Sequence, residues 1–104
     1  MSEAELQERV RGMCAQLGLY HYHPHDSRRS EPGWPDSTII GPNGVMFREL
    51  KNATRQLTSA QRAVGYRLQA LSQDWAVWRP ADLLSGRVAA ELAALAGKKL
   101  ARLA

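Results

Sequence analysis

Gly33-Trp34-Pro35-Asp36-Ser37-Thr38-Ile39-Ile40-Gly41-Pro42-Asn43-Gly44-Val45-Met46-Phe47-Arg48-Glu49-Leu50-Lys51 is the stretch from which the rest of this 104-residue chain can be read. Residues 37–40 form a short run rich in β-branched side chains, Gly41-Pro42-Asn43-Gly44 is turn chemistry, and residues 45–50 form a second apolar run. Together they predict a β-hairpin. Side chains alternate along a strand, so Glu49 and Lys51 share one face while Leu50 takes the other. Antiparallel pairing then brings Asp36, at the start of the first strand, toward Glu49, near the end of the second. Two carboxylates and a lysine at one end of a hairpin have two readings. They form either a small acidic site with a cation beside it or ordinary solvated strand-end charges, since Asp after Pro is a common turn starter.

Upstream, residues 2–17 have the pattern of an amphipathic helix, with Ser2 as N-cap and Glu5 at the capping-box position. Leu6, Val10, Met13, Cys14 and Leu17 fall on one face, and Gly18 ends the helix. At roughly 100° per residue, Glu5 and Glu8 lie opposite that stripe, Glu3 lies on its side and Gln7 at its margin. Residues 19–24 predict a first strand. His21, His23 and His25 alternate there, which invites a zinc reading. Pro24 interrupts the run, however, no cysteine is near, and zinc ligands usually come from separated segments. A polar strand edge, or one histidine reaching a phosphate, fits better. The polar loop Asp26-Ser27-Arg28-Arg29-Ser30-Glu31 leads into Pro-Asp and is either solvated or a phosphate-holding segment. Trp34 either packs under that loop or stacks on a base.

Downstream, residues 52–57 read as a loop. Thr58-Ser59-Ala60-Gln61 matches a capping box opening a helix that runs to about residue 71. Its inward stripe is Val64, Leu68 and Leu71, with Gln61 on the same side. Gln61 is a cap or a polar group at a site's edge, and one amide is not expected to serve both fully. Residues 74–79 predict a strand closed by Pro80, and residues 81–84 a short turn or helix. Residues 87–96 predict a helix whose stripe of Val88, Leu92 and Leu95 covers either the sheet or a partner subunit. A basic tail ends the chain.

The totals fit a single domain with one modest core. Nothing resembles a membrane span or signal peptide. The lone Cys14 cannot form an internal disulfide, which favours a reducing compartment, and it suits a small buried position on a helix. Net charge is +4, and eleven of the fourteen basic residues are arginine. The planar guanidinium suits bidentate phosphate contacts, so this balance around an acidic site fits an enzyme acting on a polyanion.

The ordered set Gly33-x-Pro35-Asp36, Glu49-Leu50-Lys51 and Gln61 resembles the PD-(D/E)XK nuclease superfamily and, more narrowly, its VRR-NUC branch, over nearly the whole chain. The resemblance implies an α/β fold: a restriction endonuclease-like αβββαβ core with a mixed central sheet flanked by helices, plus an extra C-terminal helix. It implies a metal-dependent DNA endonuclease, structure-selective in the manner of a Holliday junction resolvase. Such a protein would work as a homodimer on branched or double-stranded DNA, in the cytoplasm, encoded by a bacterium or phage. Asp36, Glu49, Lys51 and Gln61 would be catalytic. Asp36, Glu49 and the backbone carbonyl of Leu50 would hold Mg²⁺ or Mn²⁺, which prefer hard oxygen donors. Lys51 would orient the attacking water and stabilise charge. Relatives contribute a glutamate from the first helix, and by facing Glu3 is the candidate. They also carry a similar Ser-Arg-Arg segment, so Ser27, Arg28 and Arg29 are expected DNA contacts. Arg55, Arg62 and Arg67 are candidates for the phosphate backbone. The alternative is a catalytically idle DNA-binding or regulatory module that keeps the fold; the intact Asp36, Glu49 and Lys51 set counts against it.

Overall fold

Alternation along the hairpin sorts the molecule into two halves, one on each face of a sheet. The computed structural model describes residues 1–24 and 31–98. His25, Ser27, Arg28, Arg29 and the tail beyond Lys98 lie outside the described residues. In chain order the elements are α1 (Glu3–Leu17), β1 (Tyr20–Tyr22), β2 (Ser37–Gly41), β3 (Gly44–Leu50), α2 (Ser59–Ala70), β4 (Asp74–Trp78), α3 (Pro80–Leu84) and α4 (Arg87–Ala96). The strands form one sheet in the order β1-β2-β3-β4. The first two pairings are antiparallel and β3 with β4 is parallel. The architecture is therefore α/β with a mixed sheet, and among the described residues no helix is long and apolar enough to cross a membrane.

The caps form as the sequence predicts. Ser2 Oγ accepts from the Glu5 amide at 3.1 Å, and Gly18 closes α1 in the left-handed region at φ 71°. In the hairpin, Gly41 pairs with Gly44, so Pro42 and Asn43 make the turn and Gly44 takes φ 137°. On one face, Ile39, Met46, Leu50 and Trp78 bury against α1 (Leu6, Val10, Cys14) and α4 (Val88, Leu92, Leu95) in a single apolar cluster. Each such side chain contributes about 1.5–3 kcal/mol of transfer free energy. Burial pushes the Cys14 thiol up to about 11, as expected of an inert core cysteine.

The α4 stripe covers the sheet, the first of its two expected roles, with Val88 and Leu92 fully buried. Two expectations need correction. Leu71 is 71% exposed. The helix stops one residue earlier and the chain turns at Ser72, which has φ 60°. The residue that does bury on α2 is Gly65, whose missing side chain leaves room for the Trp75 ring. β1 is also shorter than predicted, covering Tyr20–Tyr22 only.

Candidate active site

The hairpin register pairs Ser37 with Arg48, which sets Asp36 opposite Glu49 one step further along. The two are tied by backbone as well as proximity. The Asp36 amide donates to Glu49 Oε1 at 3.3 Å, and the Leu50 amide donates to Asp36 Oδ2 at 2.8 Å. Lys51 follows on the same face and is buried, its amide held by the Trp78 carbonyl at 3.1 Å.

Gly33 sets this end of the hairpin against α2. It takes φ 89°, and a Cβ there would collide with the backbone of Ala60 in the first turn of α2. Only glycine meets both demands. That close approach brings Gln61 to the site, where its amide works from both ends. Oε1 accepts from the Thr58 amide at 2.9 Å, completing the capping box, while Nε2 donates to Glu49 Oε1 at a long 3.4 Å. The expected competition between the two roles is resolved because a carboxamide carries an acceptor and a donor on separate atoms.

Glu49 is the unusual residue. It is fully buried, and among the described residues its Oε2 has no hydrogen-bond partner. The Trp75 indole N–H is likewise buried and unpartnered; it falls short of a hydrogen bond yet lies near enough to favour the ionised carboxylate. Burial first, and the Asp36 charge second, raise the Glu49 carboxyl to about 8, against the pull of the Asp36 amide, Trp75 and Lys51. Asp36 is also raised. Burial dominates there, opposed by the Leu50 amide and the charges of Lys51 and His23, and Glu3 adds to the rise. Two like charges are thus held together at a desolvated end of the sheet, a pattern found at functional sites.

Asp36 lies between two clefts. The larger, of about 450 Å³, is lined by His23, Glu31, Trp34, Asp36 and Gln61 among others. The second is lined by Glu3, Gln7, Arg11, His23, Asp36 and Leu50. Glu3 therefore reaches the neighbourhood of Asp36, but its Oε2 pairs with Arg55 Nη1 at 3.1 Å. Among the described residues, no three His, Cys, Asp or Glu side chains gather around one point. Asp36 and Glu49 therefore stand as a carboxylate pair, with Glu3 one ion pair away.

Of the predicted phosphate contacts, Arg55 is committed to Glu3, and Arg62 donates to the Leu57 carbonyl at 3.0 Å. Arg67 is exposed in the last turn of α2. Arg79 braces the connection, donating to the carbonyls of Asn52 at 2.7 Å and Arg55 at 2.8 Å.

Two residues beyond the expected set belong to the site. The Asp36 carbonyl can only accept, so His23 Nδ1 carries the proton of their 2.6 Å hydrogen bond. Alternation had marked His23 without fixing its role. Gln7 is buried beside the second cleft, its Oε1 unpartnered, with Nε2 3.4 Å from His21 Nε2, which in turn lies 3.0 Å from Ser37 Oγ. Its position at the margin of the α1 stripe was the signal. No family model matches this chain, and no curated protein or solved structure matches it significantly.

Proposed function

We propose that the Asp36–Glu49–Lys51 end of the hairpin is the catalytic centre of a metal-dependent DNA endonuclease with a restriction endonuclease-like core of the VRR-NUC type. The observation that carries this reading is Glu49. A fully buried carboxylate with one oxygen unpartnered, beside a second carboxylate that raises its pKa, has only the nearby Lys51 charge and no cation in direct contact among the described residues. A divalent cation would relieve that deficit, and hard oxygen donors are what Mg²⁺ or Mn²⁺ selects. Glu49 Oε2, the free oxygen of Asp36 and the Leu50 carbonyl would hold it, and Glu3 joins only by giving up Arg55.

When bound, such an ion supplies an activated water at neutral pH and neutralises charge on the phosphate. The chain's own residues do the rest. The amides of Asp36 and Leu50 fix the two carboxylates. Lys51, buried beside them, places a positive charge where negative charge develops in phosphodiester hydrolysis. Gln61 holds Glu49 Oε1 in place and leaves Oε2 free. The net charge of +4 favours a polyanionic substrate. Branched DNA cut by a homodimer is the form the family resemblance suggests, with two sites acting on two strands.

The test is cleavage of branched and linear DNA by purified protein in Mg²⁺ or Mn²⁺. Asp36→Ala and Lys51→Ala are each expected to lower the rate by about 10²–10³-fold or more, the scale of losing one preorganised electrostatic group. Cleavage that survives both substitutions contradicts the site. A folded wild-type chain that binds DNA and cuts none points instead to an idle binding module.

A further inference from the structure

Among the described residues one part of the sheet stays open: α2 packs over β4, and no described helix makes its main packing on the same face of β1 and β2. There Tyr20 is 63% exposed, Tyr22 48%, Ile40 44% and Val45 38%. The register aligns Tyr20, Ile40 and Val45 in one cross-strand row, and Tyr22, Thr38 and Phe47 in the next. Neither row contains a charged side chain. Trp34, 44% exposed on the rim of the larger cleft, stands edge-on to Phe47 with ring centroids 5.8 Å apart and planes at 84°. An aromatic path therefore leads from the cleft at Asp36, through Trp34 and Phe47, to Tyr22 and Tyr20.

We propose that this face receives an unpaired DNA strand, whose bases stack on Trp34, Tyr22 and Tyr20 while the phosphate to be cut lies at Asp36. The proposal rests on the nuclease reading and names the form of its substrate: DNA with a single-stranded segment next to the cutting point. Stacking suits every base, because each has a π-face, and it needs aromatic rings presented to solvent. At this face the chain's net charge of +4 favours a polyanionic occupant over a second copy. The edge strand β1 spans three residues, and edges this short discourage sheet extension by another subunit. Both observations favour nucleic acid over self-association.

The experiment measures binding of a labelled twenty-nucleotide oligothymidylate to the full chain in EDTA, where no cleavage occurs, and of a blunt duplex of the same length. Tyr20→Ala, Tyr22→Ala and Trp34→Ala are each expected to weaken oligothymidylate binding by about tenfold. Duplex affinity should change less than twofold, and Tyr→Phe at 20 and 22 should retain binding. Tryptophan fluorescence of the wild type, in which Trp34 is exposed while Trp75 and Trp78 are buried, should be quenched by the oligonucleotide, a readout that survives if an alanine variant misfolds. Absence of quenching, or full binding by a folded Tyr20→Ala/Tyr22→Ala chain, overturns the proposal. So does light scattering that shows this double variant converting a dimer to a monomer. Tyrosine-dependent binding without any DNA cleavage refutes the nuclease reading and leaves the stacking face standing. Asp36-dependent cleavage with tyrosine-independent binding does the reverse.

Discussion

Two glutamates point into this fold from opposite faces of the sheet, and their surroundings differ completely. Glu91, on α4, has every oxygen occupied. Oε1 accepts from Trp78 Nε1 and Arg48 Nη2, both at 2.9 Å, and Oε2 from Arg87 Nε at 2.8 Å. Burial raises its pKa, but hydrogen bonds from Arg87, Trp78 and Arg48 outweigh this and hold it below the usual carboxylate range. Glu49 has two long hydrogen bonds on one oxygen, none on the other, and a carboxyl raised to about 8. A saturated, half-buried carboxylate belongs to the architecture. An unsaturated, fully buried one beside a second acid that lines two clefts has the pattern of a functional site.

The largest effect expected from this contrast is on the saturated side. Arg48 is almost fully buried, pairs with Glu91 and with Asp74 at 3.0 Å, and stacks over the Trp78 ring. Arg48→Met removes its hydrogen bonds to Glu91, which keeps Arg87 and Trp78, and should cost about 1.5–3 kcal/mol in urea unfolding at pH 7. Adding Glu91→Leu should recover most of that loss, because removing both partners can be nearly neutral. A mild single-variant effect would mean the network is solvated.

The next effect is the pH dependence of the unsaturated side. Glu49 binds its proton more tightly folded than unfolded, so without divalent metal its ionisation lowers stability as pH rises from about 4.5 to about 8. Glu91 runs oppositely: its depressed pKa contributes stability above the ordinary glutamate range, lost only as pH falls below it. Thermal unfolding in EDTA should therefore show Tm falling toward pH 8, by about 4–8 °C for each 1 kcal/mol lost. Glu49→Gln should flatten that slope. An equal slope in the variant would show that Glu49 is solvated.

Much of this was legible in the sequence. Turn residues and strand alternation locate the hairpin and the Asp36–Glu49 juxtaposition, and two capping boxes mark the starts of α1 and α2. The Arg48–Glu91 network is not among the sequence expectations, although its signal is present. Arg48 alternates with Met46 and Leu50 onto the apolar face, and Glu91 lies three residues after Val88 in the α4 stripe. A charged residue on each of two apolar faces predicts a buried pair once the faces are known to meet, and that meeting is tertiary. The same limit applies to Gly65, which reads as a weak helix residue until Trp75 is found filling its space. Glu3 was placed by facing alone, and facing could not show that Arg55 would reach it first.

The most direct measurement is calorimetric titration of the chain with Mn²⁺ at pH 8, with Asp36→Asn and Glu49→Gln beside it. The account predicts saturable binding by the wild type that both substitutions abolish. Undiminished Mn²⁺ binding by both folded variants would contradict it, and Glu49 would then be an unsatisfied buried acid with no ion to hold.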